Sequence, residues 1–207
     1  MKWMVKEVIH NNNNEFLAKK LQSSITIRDA SDGYYHPTYQ YGISAWIIKI
    51  QNNDHTITEA NVVPGYSNSK CSHHSELCGL IGDIRHISNI SSTYNVLEGS
   101  TEIGCDRLEA YKVVTRYAKA ISTKLSHCHL SSILHQLTKT IPLSSKKIYV
   151  KCHQDYGDTY NNIDECVHMN IEADRLSKDY MWHQIHSRET HNPQKPISGA
   201  IQPTTME

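Results

Sequence analysis

The apolar pattern of this 207-residue chain changes period near its middle, and that change restricts the possible folds more than any short motif does. Ile25 and Ile27 lead toward Asp32-Gly33, Tyr41–Ile50 reads YGISAWIIKI, and His55–Val63 runs through Ile57 to a closing Pro64-Gly65. Short runs rich in β-branched and aromatic residues between turn residues predict strands, so three antiparallel strands are expected first. Leu77, Leu80, Ile81, Ile84 and Ile87 then follow helical spacing, with Ser72 or Ser75 in position to cap the helix. Gly79 and Gly82 each cost such a helix about 1 kcal/mol relative to alanine, a cost that is offset if its backbone must lie close against a sheet.

Further along, Thr101–Cys105 reads as a strand, and positions 108, 110, 113, 114, 117, 118 and 121 as the apolar face of a helix. Leu130, Ile133, Leu134 and Leu137 mark another helix that Pro142 stops, and Ile148, Val150 and Cys152 alternate as a last strand. Ile163, Val167, Asn170, Ile171 and Asp174 share one side of a final helix. The expected order is βββαβααβα, an α/β fold with a five-stranded mixed sheet flanked by helices. Residues 1–22, with four consecutive asparagines at 11–14, read as an N-terminal tether, 23–186 as the folded domain, and 187–207 as an irregular or disordered tail.

Composition narrows the setting. No run approaches the roughly 18 apolar residues of a membrane span, and the first residues lack the apolar stretch of a secretory signal. An intracellular location, cytoplasmic or nuclear, is expected. Six cysteines without a CxxC pair predict free thiols and no structural disulfide. A formal net charge of zero supplies no global attraction to nucleic acid, although tethering to a larger binding assembly removes the need for it.

Four acids stand out in order: Asp32 in Ser31-Asp32-Gly33, Glu76 in Ser75-Glu76-Leu77, Asp106 after Ile103-Gly104-Cys105, and Asp174 in Asn170-Ile171-Glu172-Ala173-Asp174. Singly, each has an ordinary reading. Asp32 suits a turn, Glu76 a first helical turn and Asp106 a helix cap. Asp174 continues an apolar stripe, where an uncompensated charge is costly. Together they are the oxygen ligands that a hard cation such as Mg²⁺ takes.

The order of these blocks resembles the type 1 ribonuclease H family, in particular the domains attached to retroelement reverse transcriptases. The C-terminal blocks carry most of it: Val150-Lys151-Cys152-His153-Gln154-Asp155, then Asn170 through Lys178, similar to the family's VKGHxD and NxxxDxLA signatures. Cys152, Arg107 and Ser177 depart from the usual residues, and none of the departures removes a carboxylate. The resemblance implies a metal-dependent endonuclease that cuts the RNA strand of RNA–DNA hybrids using two Mg²⁺ ions, with Mn²⁺ a possible substitute. It implies metal ligation by Asp32, Glu76, Asp106 and Asp174, and a rate-tuning role for His153 in proton transfer or product release. The implied partners are the hybrid and a reverse transcriptase or larger polyprotein, with the domain itself monomeric and no membrane involved. A catalytically silent hybrid-binding module and a DNA-strand nuclease on the same fold are the alternatives.

One more cluster invites a metal reading. Cys71, His73, His74 and Cys78, with His127, Cys128 and His129 far along the chain, are zinc-ligating types. Their spacing matches no finger, and four ligands within 71–78 would struggle to converge, so a zinc site is not expected.

Overall fold

The computed structural model describes residues 12–23, 25–51, 55–64, 71–115, 127–150 and 164–191. Helix α1 (Asn12–Gln22) precedes strands β1 (Thr26–His36), β2 (Tyr41–Ile50) and β3 (Thr56–Val62). Helix α2 (Ser72–Thr93), strand β4 (Ser100–Cys105), helices α3 (Leu108–Thr115) and α4 (Cys128–Thr140), strand β5 (Ser144–Tyr149) and helix α5 (Glu165–His191) follow. The strands form one sheet in the order β3-β2-β1-β4-β5. The β1–β2 and β2–β3 pairs are antiparallel, and β1–β4 and β4–β5 are parallel. The expected βββαβααβα order and mixed sheet are both present.

The start of the chain departs from expectation. Residues 1–22 were expected to be a tether, yet Asn12–Gln22 is a helix that buries Leu17, Ala18 and Leu21 in the main core. Four asparagines hid an apolar face spaced one helical turn apart. Asn14 is itself buried, and His86 of α2 explains how. Trp46 Nε1 donates to His86 Nδ1 at 3.3 Å, so the proton on the other ring nitrogen, His86 Nε2, points to Asn14 Oδ1 at 3.2 Å. Burial pushes the His86 pKa down to about 4, which keeps that ring neutral. At the other end α5 continues to His191, past the expected domain boundary at 186.

Two faces of the sheet are covered. On one, Ile27, Trp46, Ile48, Ile50 and Ile103 pack with α2, α1, α3 and α4 in the largest cluster. On the other, Ala30 and Ile47 meet Met169 and Ala173 of α5, and Tyr41 and Ile43 meet Met181 and Ile185. The alternation along β2 assigns Trp46, Ile48 and Ile50 to the α2 side and Ile43 and Ile47 to the α5 side. The glycines of α2 have the expected purpose: a Cβ on Gly79 would stand 3.0 Å from the Asp32 carbonyl oxygen, and one on Gly82 would stand 2.5 Å from the Trp46 ring.

Arg28-Asp29, which breaks the apolar spacing of β1, is accommodated by partners on both faces. Arg28 pairs with Glu102 of β4 at 2.8 Å and with Glu165 at the start of α5, where Lys49 also reaches Glu165 at 2.8 Å. Asp164 Oδ1 caps α5 by accepting the Cys166 amide at 2.8 Å. Asp29, 0% exposed, lies under α2 against Asp83, also 0% exposed. Thr101 Oγ1 donates to Asp29 Oδ2, but Asp29 Oδ1 and both Asp83 oxygens have no other donor. A proton held between the two carboxyls supplies it. Burial pushes Asp29 up to about 6 and Asp83 well above its usual range, with the neighbouring Asp29 charge adding to the rise.

Asp83 therefore takes up a proton on folding, so its contribution to stability is complete below about 3.8 and is lost as pH rises toward its folded pKa. Asp83→Asn keeps a donor facing Asp29 without proton uptake. Urea unfolding should find the variant near wild type at pH 5 and more stable at pH 8, the gap widening by up to about 1.4 kcal/mol per pH unit. A gap independent of pH would show that no proton is shared.

Candidate active site

Asp32 was expected to end β1, but the strand runs four residues further, to His36. What ends near Asp32 is the neighbouring strand. Parallel pairing of β1 with β4 stops at Ala30–Gly104, while the β1–β2 hairpin continues to His36–Tyr41. Extended two residues past its last pair, the register of 26 with 100 and 30 with 104 sets Asp32 level with Asp106, and the charge of Asp106 acts on Asp32. The Arg28–Glu102 ion pair marks one face of this strand pair, and the pleat puts Asp32 and Asp106 on that same face. They occupy the carboxyl end of the parallel strands, where open α/β sheets generally bind ligands.

Glu76 is delivered by a close backbone contact. A Cβ on Gly33 would lie 2.1 Å from the Glu76 amide nitrogen and 2.2 Å from the Ser75 carbonyl carbon. Only a residue without a side chain lets the first turn of α2 rest on β1 here. Gly33 thus serves helix–sheet packing rather than a turn. The start of α2 lies over Cys71, not the expected Ser72 or Ser75, and no side chain caps it.

Asp174 comes from α5, which Asn170 anchors by donating to the Ser31 carbonyl at 3.3 Å. The apolar stripe that Asp174 continues does not bury its carboxyl. Its side chain is 39% exposed and Lys178, one turn later, pairs with it at 2.6 Å. Ser177, at the position where alanine was expected, turns its hydroxyl back to the Asp174 carbonyl at 2.8 Å.

Electrostatically the four acids form one group. The Asp32 carboxyl is held well above the usual carboxylate range, first by burial, then by the charges of Asp106 and Asp174, with Glu76 adding to these. The Gly33 amide opposes the shift by donating to Asp32 Oδ1 at 2.6 Å. Glu76 is pushed up to about 8, chiefly by burial, although Arg107 draws it down. Arg107 Nη1 stands 3.3 Å from Glu76 Oε1, and Glu76 Oε2 is buried without a hydrogen-bond partner. Arg107 and Lys178 are the two residues that sequence reasoning missed. The signal was present in both: a base directly after Asp106, and a lysine four residues after Asp174 on a helix.

Among the described residues, no three His, Cys, Asp or Glu side chains stand as a closed ligand set. Glu76 and Asp174 are turned onto their basic partners instead. The donor set itself suits Mg²⁺: all hard oxygens, one of them buried and lacking a donor, in a group whose mutual repulsion a cation relieves. Asp32, Glu76, Asp106 and Asp174 are the residues that would hold it. His153 lies outside the described residues.

Because Gly33 sets the spacing between Asp32 and Glu76, Gly33→Ala should lift α2 from β1. Overpacking against backbone costs about 3 kcal/mol, so thermal unfolding should show a marked loss of stability. Gly99→Ala, at a positive φ remote from the acids, tests whether any glycine change has the same consequence for Mg²⁺ binding. Equal Mg²⁺ affinity in wild type and a folded Gly33→Ala protein would contradict this role.

No family profile and no curated protein matches the chain. Solved structures do match it. The N-terminal RNase H domain of Rv2228c from Mycobacterium tuberculosis, solved as a fusion with maltose-binding protein, is 13% identical with a TM-score of 0.52, covering 80% of this chain and 99% of that one. RNase H1 from the halophilic archaeon Halobacterium salinarum NRC-1 is 10% identical with a TM-score of 0.44, covering 63% of this chain and 89% of that one. Together with a five-stranded mixed sheet in the order β3-β2-β1-β4-β5 and helices on both faces, the likeness to the first of these assigns this chain the ribonuclease H-like fold.

Proposed function

We propose that this protein is a metal-dependent endonuclease that hydrolyses the RNA strand of RNA–DNA hybrids. The observation that carries the reading is Asp32, two residues past the last β1–β4 pair, its charge opposed by those of Asp106, Asp174 and Glu76. Carboxylates are crowded in this way at a cost, and a site for divalent cations gives that cost a purpose. When bound, two Mg²⁺ ions supply a hydroxide nucleophile and stabilise charge on the attacking and leaving oxygens.

The chain's own residues prepare that chemistry. Asp32 is fixed by its strand and by the Gly33 amide, and Glu76 by the seat of α2 on β1. Arg107 and Lys178 hold Glu76 and Asp174 by ion pairs in the meantime, and both are free to turn toward substrate phosphates once those carboxylates are engaged. His153, on the motif resemblance, assists proton transfer or product release. Contacts to 2′-hydroxyls would tell the RNA strand from DNA. Attachment to a retroelement reverse transcriptase rests on the same motif resemblance.

Labelled RNA–DNA hybrid, double-stranded RNA and duplex DNA, each with Mg²⁺, test the reading. Cleavage should be confined to the RNA of the hybrid. Asp32→Asn should lower it at least about 100-fold, since loss of a carboxylate that would hold Mg²⁺ removes several kcal/mol of charge stabilisation. His153→Ala should slow it less. A hybrid that is bound but left intact would mean a silent binding module, and cut duplex DNA would mean a DNA-strand nuclease. Mg²⁺ at 100 times its dissociation constant should add about 2.7 kcal/mol of stability, and an unchanged melting temperature would count against the carboxylate cluster as a cation site.

A further inference from the structure

The histidines and cysteines at 71–78 are of zinc-ligating type but could not close a site by themselves. The fold supplies the missing half. The start of α2 and the start of α4 meet, so that Cys71 and His74 face His127 and His129 from a segment over 50 residues away. Cys71 Sγ lies 3.4 Å from His127 Nε2. Two ligands on one tetrahedral zinc, at about 2.3 Å for sulfur and 2.0 Å for nitrogen, stand about 3.5 Å from each other. The His74 ring centroid is 4.9 Å from that of His127 and 6.4 Å from that of His129, and His127 and His129 are 6.5 Å apart. Imidazoles sharing one zinc have centroids about 5 Å apart. As they stand these side chains are not a closed ligand set, and metal binding would require the His74 and His129 rings to rotate about their side-chain torsions.

Two further features fit. His127, the residue before α4, has a left-handed backbone with φ of 57°, uncommon outside glycine and enriched where local structure is held for a function. His73, 5.7 Å from His127 by ring centroids, has its Nδ1 buried without a hydrogen-bond partner, so a fifth side chain of ligating type borders the cluster.

We propose that Cys71, His74, His127 and His129 form a second metal site, separate from the carboxylates, for a borderline-soft divalent ion of the Zn²⁺ class. Thiolate and imidazole select such an ion over Mg²⁺. Binding displaces the thiol proton of Cys71 and clamps the first turn of α2, two residues before Glu76, to α4. The site is structural: four protein ligands leave no open position for a reacting water.

Zn²⁺ titration of the full chain by calorimetry, and Co²⁺ substitution followed by visible absorption, test the proposal in the Asp32→Asn background, which weakens the carboxylate site. One equivalent should bind, with the strong visible bands of tetrahedral cobalt and a sulfur-to-cobalt charge-transfer band. Cys71→Ser should abolish that charge-transfer band and weaken Zn²⁺ at least about 100-fold, more than an outer-shell change does. The exposed His129→Asn, which leaves the core untouched, should weaken it similarly. Cys78→Ser should change neither. Weak octahedral cobalt bands, or Zn²⁺ affinity unaltered by Cys71→Ser and His129→Asn, would overturn the site whatever the outcome of the hybrid-cleavage assay.

Discussion

Contact between two backbones at Gly33 organises everything around it. A helix of 22 residues rests its first turn on the central strand of the sheet with no side chain between them, and Gly79 repeats the close approach one turn on. Because backbone positions fix side-chain origins, the separation of Asp32 from Glu76 follows from this packing rather than from the side chains' own interactions. The same seat lets Asp83 reach Asp29 through the core and Trp46 lie against Gly82. Loosening the helix would disturb carboxylates and core together.

The interior of β1 is unusually polar for a central strand. Arg28, Asp29, Ser31 and Asp32 succeed one another where apolar residues are the rule. Three of them are compensated: Arg28 by Glu102 and Glu165, Asp29 by Thr101 and Asp83, and Asp32 by the Gly33 amide, whereas the Ser31 hydroxyl is buried without a hydrogen-bond partner. Groups compensated in this way specify register, since a slip of one residue would exchange every partner for a mismatched one.

The element order was legible because it rests on period, and periods of 2 and 3.6 survive errors at element ends. Motif order singled out four acids, and the charges of three of them act on the fourth, Asp32. Three things were not legible. Helix α1 was hidden by asparagines whose partner, His86, lies 72 residues away. The surroundings of Asp32 were misjudged because a strand's own end differs from its neighbour's end, which only sheet pairing reveals. Asp174 looked buried from its stripe, but a lysine one turn on and the edge of the helix leave it half in water.

Helix α1 alters how this fold could be cut from a longer context. A fragment beginning at the first strand would discard Leu17 and Leu21, strip the floor from the main core, and leave His86 without its acceptor on Asn14. Exposed apolar surface of that kind invites self-association. An autonomous unit therefore includes helix α1, and an excised sheet with its other helices that precipitates would be reporting a missing helix rather than an intrinsically insoluble fold.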